Sequence, residues 1–374
     1  FYMITTNVDA GGNFYVTAED PAGPWSDPVW LTDIPGIDPS LNFDDDGRVY
    51  IVSNGPPEMP SRYFGHHALW IQELDLATGK PTGERTMIVD SGVDPSTNPI
   101  WIEAPHLFKV DGWYYLIAAE GGTEFYHSEV VFRSRDPFGP YEPGPVNPIL
   151  TQRTLDSDRP FPVIATGHAD FVETQNGEWW AVFLASRPYE DGHYNTGRET
   201  FLHPVTWNDG WPMILDPSEA VPYALAAPDL PAGEAAPVPY TGNFTWRDEF
   251  DGDTLALPWN SLRGPSDAWL DLTSAPGFAT LAATTETLSG DATPAYLARR
   301  LQHASFTAST AMVVPESDEL EAGLAVFQNE THHFFLGVRR NEDGTEVFLE
   351  QAAEGEPEAI VSRPLIASAG DRLE

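Results

Sequence analysis

Apolar and polar positions alternate along most of this chain in short runs, and turn pairs separate the runs. VYIVSN lies just after Asp46-Gly47, WYYLIAAE after Asp111-Gly112, and EWWAVFLAS after Asn176-Gly177. β-branched and aromatic residues dominate these runs. Asp-Gly or Asn-Gly between such runs predicts tight antiparallel hairpins. The strand expected before each turn carries one polar or ionisable residue at a fixed place. Asp38, Glu103 and His168 each sit eight residues before their turn pair, and the spacings are equal: 103 − 38 = 65 and 168 − 103 = 65. Equal spacing with a shared hairpin signal predicts one supersecondary unit used at least three times. Units set around an axis bring equivalent positions together, so two carboxylates and an imidazole would share one cavity.

Each repeat continues past its hairpin. HHALWIQELD leads into the turn ATGKPTG, HSEVVFRSRDPFGPYEP follows the second hairpin, and RETFLHPVTW follows the third. An inner strand, two central strands and an outer strand make a four-stranded antiparallel blade. Residues 1–30 hold the end of another blade, since AEDPAGPW (18–25) matches SRDPFGPY (134–141). A propeller region is therefore expected over 1–216. Residues 217–243 are rich in Pro and Ala and predict a linker, or a strap across the first domain. A second all-β region over 244–374 holds PAYLARRL, FTASTAMVV, GLAVFQ, HHFFLGVRR and TEVFLEQ, with a turn at Glu342-Asp343-Gly344. This spacing suggests a β-sandwich. The chain opens FYMITTNV, without an initiator Met and inside an expected strand, and it is expected to stop before the sandwich is finished. It is expected to be a fragment, so localisation stays open.

Composition narrows the function classes. Among 374 residues there are 57 Asp and Glu against 19 Lys and Arg, a net charge of −38. Such a surface repels nucleic-acid phosphates and anionic lipid, so neither is an expected partner. No run of about 18 apolar residues offers a membrane-spanning helix. Aromatic residues reach 12% and are interleaved with the acids, which separates the chain from a disordered acidic tail. Lys80 and Lys109 are the only lysines. Adaptation to high salt and a genome that avoids Lys codons both account for this. With no Cys, disulfides play no part. Oligomeric state is not legible, and a homo-oligomer is compatible with the sequence.

A pair of carboxyls across a sugar is the usual requirement of glycoside hydrolysis, one protonated to donate to the leaving oxygen and one ionised to activate water. Glu103 lies between Trp101-Ile102 and Ala104-Pro105. This apolar setting raises a carboxyl pKa by desolvation, and a nearby Asp38 anion raises it further. Glu103 is thus the better acid. Either residue alone would more often be a satisfied inner-strand group; equivalence across repeats reverses those odds. Asp44-Asp45-Asp46 lacks EF-hand spacing and is expected to be a solvated turn rather than a cation site. His66-His67 and His332-His333 alternate faces within strands, so neither pair is expected to chelate.

GIDPSLNFDDDGR, WIEAPHLFKVDGWYYLIAAEGGT, ATGHADFVE and GRETFLHPVTWNDGWP resemble glycoside hydrolase family 43, in particular its β-xylosidase branch. FTWRDEFDGDTLALPWNSLRGP is similar to the entry of that branch's second domain. The resemblance covers nearly the whole chain. It implies an all-β protein, a five-bladed β-propeller followed by a concanavalin A-like β-sandwich. It also implies an inverting hydrolase that releases xylose from xylo-oligosaccharides, with no required cofactor. By this resemblance Glu103 is the general acid, Asp38 tunes its pKa and helps hold the substrate, His168 lies at the cavity floor and Arg198 faces the sugar. Thr123 in EGGT, Phe64 and Arg62 are further candidates for the pocket wall. The family's general base is an Asp of the first blade, upstream of Phe1, so this polypeptide alone is expected to be weak or inactive. The family's usual Glu-Gly-Pro-His reads Glu-Ala-Pro-His here, which puts the fit of the sugar at Ala104 in question. A Ca²⁺ held mostly through waters beside His168 is an alternative to a purely hydrogen-bonding histidine. The resemblance does not separate β-xylosidase from α-L-arabinofuranosidase. Outside that class, a non-catalytic carbohydrate-binding propeller or a protein-interaction propeller is the rival, and neither needs an acid paired with a modulator.

Overall fold

The four repeat segments fold as four antiparallel sheets in a computed structural model that describes residues 1–231, 233 and 242–373. The first sheet joins Tyr2–Asn7, Gly12–Thr17 and Val29–Trp30. The second runs Ile37–Phe43, Val49–Gly55, Ala68–Asp75, Lys80–Pro81. The third runs Glu103–Val110, Trp113–Glu120, Ser128–Ser134, Glu142–Pro143, and the fourth Ile164–Glu173, Trp179–Ser186, Glu199–Asn208, Trp211–Met213. Two sheets go beyond the expected four strands. Thr86–Asp90 pairs with Ala68–Asp75, and Leu150–Thr151 pairs with Ser128–Ser134. Helix is confined to two 3-10 turns among the described residues, at Pro95–Thr97 and Glu190–Gly192.

Consecutive sheets pack face to face, and this explains why central strands read as almost unbroken apolar runs. In WYYLIAAE, Leu116 and Ala118 face the second sheet and pack with Val52, Leu69 and Ile71. Tyr115 and Ile117 face the fourth and pack with Val163, Ala181 and Phe183. A third core, with Tyr15, Leu31, Ile34, Ile51 and Leu74, lies between the first and second sheets. Buried on both faces, a strand has no polar side to show.

The 65-residue period reappears as hydrogen bonds between the second and third sheets. Ser40 Oγ donates to Pro105 O at 2.7 Å, Asn42 Nδ2 to Leu107 O at 3.0 Å, and Lys109 Nζ to Asp44 Oδ1 at 2.7 Å. Each joins residues 65 apart. Asp44 thus departs from the expected solvated turn. Its side chain is buried and also accepts from the Tyr114 hydroxyl, while Asp45 and Asp46 remain exposed. The short Asp side chain at the hairpin entry reaches back across the interface because Lys109 stands at the same place one repeat later.

Residues 217–231 run along the first unit. Val221 enters its core, its amide donates to Gln152 Oε1 at 3.1 Å, and the Asp229 amide donates to Glu178 Oε2 at 2.9 Å. The first compact unit accordingly extends over Phe1–Gly233 and the second over Glu234–Glu374. Residues 232 and 234–241 of the expected linker lie outside the described residues.

In the second unit, Glu321–Asn329, His332–Asn341, Gly344–Ala353 and Glu358–Leu365 form a four-stranded meander. Its second hairpin turns at Glu342-Asp343, with Asn341 paired to Gly344. PAYLARRL and FTASTAMVV contribute far less strand than their patterns suggest, with only Leu297–Ala298 and Met312–Val313 paired. Residues 294–301 hold Pro294 and two arginines, Arg299 and Arg300, and Arg299 lies over the Trp246 ring at 4.4 Å instead of continuing the ladder. His333 is buried and His332 half-buried in this meander; each hydrogen-bonds Asn329, not a shared ligand.

In Asp44, burial alone would raise the pKa, but the hydrogen bonds from Lys109 and Tyr114 outweigh it and hold the carboxyl below its ordinary 3.8. A lowered carboxyl stabilises the fold at pH values above its ordinary range and loses that contribution as pH falls through its folded value. Asp44→Asn therefore lowers the melting temperature at pH 7 by about 5 °C, and the difference from the parent shrinks below pH 3.8. A scan in which the two melt together at pH 7 would contradict this anchoring role.

Candidate active site

The inner strands of the second, third and fourth sheets are each irregular at the place the repeat singles out. In the second, Ile37 pairs with Asn54 and Ser40 with Val52, three steps on one strand against two on its neighbour. In the third, Glu103 pairs with Ala119 and His106 with Ile117. In the fourth, two such steps follow each other, Ile164 to Gly167 and Gly167 to Asp170. Each is a β-bulge, one extra residue that bends the strand and re-aims its side chains. Left-handed backbone marks the bulges: φ is 51° at Asp38, 50° at Ala104, and 56° at both Ala165 and His168. Non-glycine residues rarely hold such angles, and the surrounding ladder must impose them.

The bulges bring the three predicted residues together. Asp38 Oδ2 accepts from the Ala104 amide at 3.2 Å, which ties Asp38 to the backbone beside Glu103. Burial is the first cause that pushes the Glu103 carboxyl up to about 7; the Asp38 charge adds to it, and Arg198 acts in opposition. Burial likewise lowers the His168 pKa; Asp38 pulls it back, while His106 and Arg198 reinforce the fall. Asp38, Glu103, His168 and Arg198 therefore form one electrostatic cluster, drawn from three sheets.

A cleft of about 710 Å³ opens beside this cluster, with His106, His168, Asp170, Phe183, Arg198 and Thr200 on its wall. Arg198 stands in the turn before Glu199–Asn208. That turn is fixed by Glu199, which takes a two-pronged ion pair from Arg187 at 2.8 and 2.6 Å and a hydrogen bond from Thr196 at 3.0 Å. Among the described residues no carboxylate lies within ion-pair distance of Arg198, so its guanidinium is available to the cleft.

His106 and Asp170 enter the site without having been predicted. His106 Nδ1 lies 3.2 Å from Asp170 Oδ1, an ion pair or hydrogen bond from the third sheet to the fourth. Burial lowers the His106 pKa, against the pull of Asp170 and Asp38. Strict alternation places Glu103 and His106 on opposite faces. The bulge absorbs one residue, so both face the same side, and that is the signal that was missing.

Phe64 and Thr123 belong to another wall. Phe64 is exposed, with its ring edge-on to Trp101 at 5.2 Å. The Trp101 ring lies against Gly122, where a Cβ would come within 2.7 Å of it, and Thr123 follows. Trp101 stands two residues before Glu103, so this aromatic wall adjoins the acid, though neither Phe64 nor Thr123 lines the cleft. Arg62 is held elsewhere, by Asp90 at 3.1 Å and by His66 and Ser91. His66 itself pairs with Asp90 at 2.7 Å, while His67 lies 3.4 Å from Asn54 Nδ2. Among the described residues, no group of three or more His, Asp or Glu side chains is placed to hold a metal ion.

Residues 1–212 match the family described as Glycosyl hydrolases family 43, and residues 247–372 match the Beta xylosidase C-terminal Concanavalin A-like domain. A xylosidase/arabinosidase of Butyrivibrio fibrisolvens is 42% identical over 92% of this chain and 65% of its own length. A non-reducing end α-L-arabinofuranosidase of Bacteroides ovatus is 39% identical over 90% of this chain and 60% of its own. The chain thus spans somewhat under two thirds of these curated relatives. Among solved structures, a GH43_12 protein retrieved from capybara gut metagenome superposes with a TM-score of 0.88 at 34% identity, covering 100% of this chain and 70% of the other.

Proposed function

The chain belongs to glycoside hydrolase family 43, and we propose that the protein it forms cleaves, with inversion, the non-reducing-end bond of short xylo-oligosaccharides to release xylose. The observation that carries this is a carboxyl held at about 7, half-buried and set beside a second carboxyl. A group with that pKa is protonated in about half of the molecules at pH 7 and can give its proton to a leaving oxygen. A module that only binds sugars has no use for it.

Glu103 donates the proton as the bond to the leaving sugar breaks. The charge of Asp38 beside it favours the protonated acid, and Asp38 is held in place by the Ala104 amide. Arg198 and His168, both on the cleft wall, hold hydroxyls of the terminal pentose, and the neutral imidazole of His168 both donates and accepts. Inversion needs a water activated by another carboxylate on the opposite face of the ring. None of the described residues is given that part. Arabinofuranosidase activity is the second reading, favoured by the names of the Butyrivibrio and Bacteroides relatives. Hydrolysis of paired aryl β-xyloside and α-L-arabinofuranoside substrates decides between them.

In the whole protein, Glu103→Gln lowers turnover of xylobiose by about a thousandfold, within the range of lost acid catalysis. A dinitrophenyl xyloside, whose leaving group needs little protonation, loses far less. Equal loss on both substrates, or a parent inert towards all pentosides, would contradict the assignment.

The alkaline limb of the pH–rate profile follows Glu103, and two substitutions move it in opposite directions. Asp38→Asn removes a negative neighbour, lowers the Glu103 pKa and shifts the limb to lower pH. Arg198→Met removes a positive neighbour and shifts it to higher pH. Movement of both in one direction would show that the limb belongs to another group.

A further inference from the structure

The doubly bulged segment that carries His168 is gripped from the neighbouring sheet by two fully buried side chains. His127 Nδ1 donates to Ala165 O at 3.0 Å, and Glu129 Oε2 accepts from the Ala169 amide at 2.9 Å. Ala165 and His168 are the two left-handed residues of the segment, each with φ of 56°. The grip therefore falls on one strained residue directly and on the position just after the other. His127 and Glu129 are two residues apart at the start of the strand Ser128–Ser134, and both reach the backbone of the fourth sheet. The His127 ring lies flat against Gly167, where any Cβ would come within 2.8 Å of the ring. Glu129 is also in register with the acid: Ala119 pairs with Glu103 on one side and with Glu129 on the other. One row across the third sheet thus carries both the acid and the anchor of the opposite wall.

We propose that His127 and Glu129 are positioning residues that clamp the segment 165–170, and through it set His168 and Asp170 in the cleft for the terminal sugar. The clamp rests on the reading of that cleft as a pentose site. Neither residue touches the sugar. Their work is to hold a backbone that would otherwise relax into a regular strand, since a left-handed non-glycine residue is strained. Relaxation would remove the bulges and turn the His168 side chain off its face.

The chemistry of the two groups suits this task. Burial lowers the His127 pKa to about 4, so the ring is neutral and its Nδ1–H is a plain donor. Burial holds the Glu129 carboxyl well above its ordinary 4.5, against the pull of the Ala169 and His168 amides and with the help of the Asp170 charge. Burial thus disfavours the Glu129 anion, and Oε1 makes no hydrogen bond among the described residues. A single acceptor oxygen is all that the clamp uses, and an amide supplies one.

The test uses the whole protein with two pairs of variants. Glu129→Gln and His127→Asn keep the acceptor and the donor; Glu129→Met and His127→Leu remove them at similar volume. Hydrogen exchange over residues 164–173 and steady-state kinetics on an aryl β-xyloside are the readouts. Met and Leu speed exchange in that peptide by at least tenfold and raise KM at least tenfold, with a smaller fall in kcat. Gln and Asn stay within threefold of the parent on both. Should Glu129→Met fail to fold, the His127 pair decides alone. Unchanged exchange and KM in folded Met and Leu variants would overturn the clamp, as would a Gln variant as impaired as Met. Were the parent inactive on pentosides, the functional reading would fall, and exchange alone would still judge the clamp.

Discussion

An extra residue in a β-strand breaks the ladder locally and twists the strand, and a sheet accepts it only where neighbouring structure holds the irregular backbone in place. Three successive inner strands of this protein accept such irregularity near the same point of the repeat, the fourth sheet's strand twice. The site depends on that shared irregularity. It lets Asp38 reach the Ala104 amide, turns Glu103 and His106 to one side, and presents His168 and Asp170 from a single strand. Regular strands with the same side chains would place half of them on the wrong face.

The chemistry follows from where the bulges leave their charges. Glu103 lies half-buried in the third sheet with buried Ile102 and Ala104 on either side, and this partial desolvation disfavours its anion. Asp38, one repeat earlier, adds a negative charge that favours the protonated form. Arg198 enters from the fourth sheet's side and tempers both. Equivalent positions of the repeat, two carboxyls and an imidazole, thus meet three different surroundings. The bonds that align the repeats run between the same equivalent positions, from Ser40 to Pro105 and from Asp44 to Lys109. Alignment and chemistry share one period.

The repeat was legible because hairpin signals and apolar runs are local, and a fixed 65-residue offset survives any uncertainty in strand ends. Asp38, Glu103, His168 and Arg198 could be named from it and from family motifs, and the structure sets them in one cluster. His106 and Asp170 could not, since a period of two is the only rule that sequence offers for a strand and a bulge breaks it silently. His127 and Glu129 read as ordinary strand residues in HSEVVF; their role needs the fourth sheet beside them. Asp44 was read as a surface turn because its partner Lys109 is distant in the chain. In the second unit the meander was legible from alternation, whereas PAYLARRL and FTASTAMVV form only short pairs, so alternation without turn pairs at both ends was a weaker guide.

The central claim is that the bulged repeats raise the Glu103 carboxyl to about 7. The most direct measurement is a ¹³C NMR titration of the side-chain carboxyl in the unmodified protein, with Glu103 assigned by difference from Glu103→Gln. A midpoint close to 7 is the result that burial and Asp38 require. A midpoint at the ordinary 4.5 of an exposed glutamate would contradict it.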